Sequence, residues 1–212
     1  MSARLAKGSD GRLRCRWCTA TPAYEAYHDR EWGFPVDDDT RLFEKLSLEA
    51  FQSGLSWRTI LAKRENFRAA FAGFDFHAVA RFGARDVARL LKDAGIVRHR
   101  GKIEATIANA RAAVKLQRDE GSLAAYVWRF EVGAKNSAAR AARAPAPEAI
   151  ALSEDLKKRG WNFVGPTTVY AFMQAAGLVD DHAKGCVIAP QVSKRRQQFS
   201  TSGLKNRHRS LA

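Results

Sequence analysis

The stretch TRLFEKLSLEAFQSGLSW, residues 40–57, carries apolar residues at helical spacing and then sets a carboxylate among them. Leu42, Phe43 and Leu46 recur at the intervals of an amphipathic helix, and Asp39 or Thr40 is placed to cap its start. At about 100° per residue, Glu49 falls about 20° from Leu42 and about 60° from Leu46. It therefore belongs to the stripe that should be buried, where an unpaired carboxylate is expensive. Either it has a partner inside the fold, or it receives one from outside.

Outward from this helix the pattern stays helical. Ser56 is a cap for a helix carrying Trp57, Ile60, Leu61, Phe67 and Phe71 and ending near Gly73. ARDVARLLKDA follows with Val87, Leu90 and Leu91 on one face; Gly95 breaks it, and RGKIEATIANARAAVKLQ begins the next helix. PEAIALSEDLKKRG and GPTTVYAFMQAAG read as later helices, the last with Pro166 at its first position and Gly177 at its end. Residues 133–147, GAKNSAARAARAPAP, read as a basic loop rich in Ala and Pro. No useful alternating pattern competes, so the expected class is all-α.

The chain has 212 residues, enough for one substantial core or two small subdomains sharing one. No run of 18 apolar residues is present, and MSARLAKGSDGRLR lacks the apolar centre of a signal peptide, so a cytoplasmic protein without a membrane partner is expected. The net charge of +14 points to an acidic polymer as partner. Much of it lies at the ends: Arg4, Lys7, Arg12 and Arg14 against Asp10, then Lys194, Arg195, Arg196, Lys205, Arg207 and Arg209 with no acid. Residues 1–14 and 191–212 are accordingly expected to be disordered basic tails. Three cysteines without a secretion signal point to reduced thiols, metal ligation or both.

Four features carry chemistry. Cys15 and His28 near one end, with His182 and Cys186 near the other, are either the ligands of a closed, structural Zn²⁺ site or two ordinary histidines and two buried thiols. Trp17, Tyr24, Tyr27, Trp32 and Trp57 surround Glu49 in sequence; they are core residues, or they line a pocket for a flat cationic ligand. LLKDAGIVRHRGKI, residues 90–103, resembles a helix-hairpin-helix presenting Gly95, Arg98, Arg100 and Lys102 to DNA phosphates, although Val97 stands where the usual hairpin has a second Gly. An ordinary basic turn is the alternative. In QSGL, Gln52 and Leu55 flank a Gly-containing helix end, and Leu55 is an apolar wedge or a core contact.

Taken together, RCRW (14–17), YEAYHDREWGFPVDDDTRLFEKLSLEAFQSGLSW (24–57), DAGIVRHRGKI (93–103), LKKRGWNFVGPTTVYAFMQAAGLVDDH (156–182) and Cys186 resemble the 3-methyladenine DNA glycosylase I family. The resemblance implies a helix-hairpin-helix glycosylase domain over 15–190, with a hairpin-containing subdomain at about 39–118 and a zinc subdomain formed by 15–38 and 119–190. It implies one structural Zn²⁺ per chain on Cys15, His28, His182 and Cys186, with Cys18 a spare thiol. It assigns Glu49 to the extruded base, Tyr27 and Trp57 to stacking, and Trp17, Tyr24 and Trp32 to the rest of the pocket. Gln52 and Leu55 would fill the gap the nucleotide leaves. The implied enzyme acts on duplex DNA containing alkylated bases, releasing free 3-methyladenine and leaving an abasic site; a monomer is the default expectation for a base-flipping enzyme of this size. The zinc staple is expected to act apart from the base pocket. The rivals are a non-catalytic zinc-containing DNA-binding module, which would not need Glu49, and a small-molecule cation binder with incidental charge.

Overall fold

The computed structural model describes residues 4–133 and 145–199. The chain is mostly helical, with one short ribbon near its start. Strands β1 (Leu5–Lys7) and β2 (Leu13–Cys15) pair antiparallel, Leu5 opposite Cys15. The helices are α1 (Pro22–Arg30), α2 (Asp39–Gln52), α3 (Trp57–Ala62), α4 (Arg64–Ala70), α5 (Phe76–Val79), α6 (Ala84–Lys92) and α7 (Arg100–Glu120). They continue as α8 (Leu123–Val127), α9 (Pro147–Lys158), α10 (Pro166–Ala175) and α11 (Ala189–Gln198). No described helix is long and apolar enough to cross a membrane.

Two expectations are corrected at the ends. Residues 5–15 form the ribbon, and the start of the second basic segment is α11, docked on the body. Val192 of α11 is buried, and Arg196 donates to Glu131 Oε1 (3.0 Å), Val132 O (2.9 Å) and Leu178 O (3.2 Å). The 200–212 part of the expected tail lies outside the described residues, as does most of the basic Ala/Pro-rich loop.

Helix α2 is the centre of the core. Every residue from Leu42 to Phe51 is buried, and α2 packs against α10, α7 and α8. Its cap is Asp38, whose Oδ1 accepts from Arg41 N at 2.8 Å, not Asp39 or Thr40. Asp39 serves another helix: its carboxylate accepts from Leu123 N (3.0 Å) and Ala124 N (2.8 Å) at the start of α8, where the helix dipole favours an anion. Ser56 caps α3 through Thr59 N as expected (3.2 Å). The single helix expected after it breaks at Lys63 into α3 and α4.

A continuous burial of α2 brings Glu44 and Lys45 inside as well, and each is paired. Glu44 holds Arg64 and Arg68, while Glu31 holds Lys45 and Arg64, each at 2.7–2.8 Å. This network locks α1, α2 and α4 together one turn before Glu49.

The chain between α1 and α2 is fixed by a close approach to the end of α10. Val36 N donates to Ala176 O (3.1 Å). Next to it Gly177 has φ of 80°, and a Cβ there would lie 2.6 Å from Phe34 C and Pro35 N. Both the dihedral and the space exclude a side chain. Gly177→Ala is expected to cost about 3 kcal/mol or more, read as a fall in denaturation midpoint. An unchanged midpoint would show that the two segments separate freely.

Candidate functional site

A cavity of about 300 Å³ opens beside the end of α2, lined by Trp17, Tyr24, Tyr27, Trp32, Glu49, Gln52 and Trp57. The residues that sequence reading grouped around Glu49 thus meet in space. Trp17 lies at their centre, edge-on to Tyr24 (5.1 Å between centroids), Trp32 (5.1 Å) and Tyr27 (6.5 Å). Tyr27 and Trp57 form a tilted pair at 5.4 Å.

Glu49 is 6% exposed and its Oε2 has no hydrogen-bond partner among the described residues. The same holds for Tyr27 Oη and Trp57 Nε1. Three residues that line one aromatic cavity thus each carry a buried polar atom without a protein partner among the described residues, which favours an occupant able to hydrogen-bond. Burial pushes the Glu49 carboxyl up to about 8, against the pull of the Lys45 ammonium one turn earlier. Burial and then the nearby Glu49 charge raise the Tyr27 phenol well above its ordinary value. Lys45 sits 5.7 Å from the Tyr27 ring centroid, so the ring that faces the cavity is itself held by a buried cation.

The opposite wall was missed. It comes from Ala171 and Gln174 of α10 and from Asp181 just beyond it. Gln174 Nε2 donates to Asp181 Oδ2 at 2.8 Å, and the Tyr170 hydroxyl bonds the same oxygen. The signal was available, because Gln174 interrupts the apolar run VYAFMQAAG in the way Glu49 interrupts α2.

The expected DNA-facing residues divide. Leu55 is 42% exposed and follows Gly54, whose φ of 80° turns the loop outward. Arg98, in the segment joining α6 to α7, and Arg100, the first residue of α7, are exposed. Lys102 is corrected: its ammonium is turned inward, donating to Phe51 O (2.8 Å) and Ser53 O (2.5 Å), so it closes the end of α2 and faces no phosphate. Gly95 is corrected too. Its N–H is taken by Asp93 Oδ1 (2.7 Å) and its carbonyl by Lys63 Nζ (3.2 Å), while a Cβ would meet Asp93 and Asn66 at 2.9–3.1 Å. Gly95 shapes the turn and has no amide to offer an anion.

Behind the pocket, Cys15, His28 and Cys186 gather with ligand atoms within 4.8 Å of one another, all buried. His28 Nε2 is 3.5 Å from Cys186 Sγ. His182 lies beside them, its ring 5.1 Å from His28, and its buried Nε2 has no partner among the described residues. Both imidazoles give Nδ1 to a carboxylate at 2.8 Å, His28 to Asp29 and His182 to Asp180. His28 Nε2 is thereby turned toward the Cys186 thiol and His182 Nε2 has no partner among the described residues, the Nδ1-anchored arrangement metal-ligating histidines adopt. This cluster of Cys15, His28 and Cys186, with the His182 ring beside it, offers donor types suited to a metal ion. It is not separate from the pocket, as sequence reading expected: Trp32 packs on His182 (4.7 Å) and Trp17 on His28 (5.4 Å).

The fold and cavity define a helical protein with a buried carboxyl group set among aromatic rings. The methyladenine glycosylase family matches residues 17–189, and the chain belongs to that family. It is 48% identical to DNA-3-methyladenine glycosylase 1 of Escherichia coli strain K12, over 84% of this chain and 97% of the relative. It is 43% identical to DNA-3-methyladenine glycosylase of Haemophilus influenzae, over 82% and 96%. Among solved structures, the Staphylococcus aureus 3-methyladenine DNA glycosylase I described for 3-methyladenine recognition aligns with a TM-score of 0.77 at 38% identity, covering 84% of this chain and 96% of that one.

Proposed function

We propose that this chain is a DNA-repair N-glycosylase that excises 3-methyladenine from alkylated DNA. The observation that carries the reading is the set of unpartnered buried atoms, Glu49 Oε2, Tyr27 Oη and Trp57 Nε1, in a cavity walled by aromatic rings. Methylation at N3 makes the adenine cationic. Glu49 accepts hydrogen bonds from its edge, and the rings draw positive charge to their faces. An unmethylated adenine lacks the charge and gains less from both.

The same charge makes the base a good leaving group. The N9–C1′ bond breaks as its electron pair neutralises the purine, and water adds to the oxocarbenium-like sugar, losing a proton to solvent. Strong protonation of the base is unnecessary, so Glu49 binds and selects. No lysine lines the cavity among the described residues, and Lys102 is held by carbonyls. The products are therefore free base and an abasic site, without strand cleavage.

The base reaches the cavity by extrusion from the duplex. Leu55 and Gln52 occupy the gap, and Arg98 and Arg100 contact the backbone from a hairpin between α6 and α7. The hairpin-containing subdomain spans about 39–118, and 15–38 with 119–190 form the second, holding one structural Zn²⁺ on Cys15, His28, His182 and Cys186. When bound, the ion supplies a cross-link between β2, α1 and the segment after α10. The enzyme works as a monomer.

The test is chromatography of free base released from DNA treated with a methylating agent. Release of 3-methyladenine, with duplex affinity falling at a log–log salt slope of about −0.9 per phosphate contacted, is the expected result. Binding without release would favour a non-catalytic DNA-binding module.

A further inference from the structure

Phe163 combines two unfavourable features. Its φ of 55° places a bulky aromatic residue in the left-handed region, where glycine or asparagine is the relaxed choice. It is also 40% exposed, one of few large apolar side chains left in solvent. Packing does not explain the strain, because the ring is not in the core.

The surroundings nonetheless fix this conformation from both sides. Asn109, buried on α7, accepts from Asn162 N through Oδ1 (2.7 Å) and donates to Asn162 O through Nδ2 (2.9 Å). Ser153, fully buried on α9, donates to Val164 O at 2.6 Å. Three hydrogen bonds from interior side chains thus grip the residues before and after Phe163. Strain that is over-determined in this way marks a position whose side chain is being displayed.

What the ring is displayed beside indicates the partner. Its centroid is 6.3 Å from that of His99, and a Cβ on Gly101 would come 3.9 Å from its Cζ, so it lies against the start of α7. One residue on, Lys102 Nζ holds Ser53 O at 2.5 Å and roots the Leu55 loop at the same helix start. Phe163 and Leu55 therefore flank one end of α7, where Arg98 and Arg100 are exposed. Phe163 does not line the base cavity.

We infer that Phe163 is a DNA-contacting residue, a second apolar wedge that packs on a base step of the duplex while Leu55 fills the gap left by the extruded nucleotide. The inference rests on the glycosylase reading above. An aromatic ring on an exposed base step is sequence-tolerant, as an enzyme that searches for damage in any context requires. A rigid backbone holds the ring in one place against the start of α7 between encounters.

Phe163→Gly removes the ring and relieves the strained φ. The expected protein melts no lower than wild type and binds free 3-methyladenine equally well. Its affinity for a duplex carrying a stable abasic analogue falls about tenfold, with the salt slope unchanged because no phosphate contact is lost. Phe163→Leu should recover part of that affinity. Unaltered duplex affinity in Phe163→Gly would overturn the inference, and so would a parallel loss of free-base affinity, which would mean that the ring only supports the fold. Because the readout is binding, a wild-type protein that held the duplex yet released no base would count against the glycosylase reading alone.

Discussion

Replacing Glu49 by Gln is expected to slow release of 3-methyladenine about 100-fold, the scale of removing one preorganised group from a dry site, and also to stabilise the protein at alkaline pH. Both effects have one origin: a carboxylate buried with Oε2 unpartnered. Its pKa is raised from 4.5 to about 8, chiefly by burial, so the folded protein holds this proton more tightly than the unfolded chain. The linked stability is complete below about 4.5 and is lost as pH rises through about 8. Gln has no proton to lose. Relative to wild type, the variant should gain little near pH 4 and roughly 2–4 kcal/mol near pH 9. Thermal melts across that range, beside base-release assays on the same preparations, check both halves. Parallel melting curves at every pH would show that Glu49 titrates as an ordinary surface carboxylate, and the desolvated pocket would be wrong.

A residue that harms the free fold and serves the ligand is what made this site readable in sequence. Glu49 and the missed Gln174 both interrupt apolar helical stripes, and helical period is the strongest local signal a chain carries. The Ser56 cap, Pro166 and Gly177 were legible for the same reason: each acts within a turn of itself. What was not legible depends on distant partners. Lys102 read as a phosphate contact because its acceptors, Phe51 O and Ser53 O, lie some fifty residues away. The ribbon of residues 5–15 has three-residue strands, too short to show a period. Helix α11 looks like a polar tail because it docks through few groups, Val192, Arg196 and the ring of Phe199 on Trp128 (4.3 Å). Cys15, His28, His182 and Cys186 were visible as residue types, but spacing left their meeting open and only the family resemblance joined them.

Withdrawal of the proposed zinc, by chelation or by Cys186→Ser, is expected to lower the melting temperature by about 10 °C and to weaken base binding about tenfold. The stability effect follows from where the donors sit. Cys15 and Cys186 belong to a small apolar cluster with Leu5, Ala183, Ile188 and Val192, apart from the main core. Few side chains hold the two ends of the chain there, so the cross-link carries much of their ordering; structural zinc contributes its binding energy to folding. For a domain of this size about 3–4 kcal/mol corresponds to that shift. The binding effect follows from contact: Trp32 leans on His182 at 4.7 Å and Trp17 on His28 at 5.4 Å, and both rings line the base cavity. Loosening the imidazoles therefore loosens the walls against which the base stacks. Adding Zn²⁺ back to chelated wild type should restore both properties together, while Cys186→Ser should recover neither fully. Metal analysis well below one equivalent per chain, with a melt that chelator leaves unchanged, would show that thiols and imidazoles pack there without an ion. A melt that falls while base affinity holds would instead show that Trp17 and Trp32 keep their places without the histidines behind them.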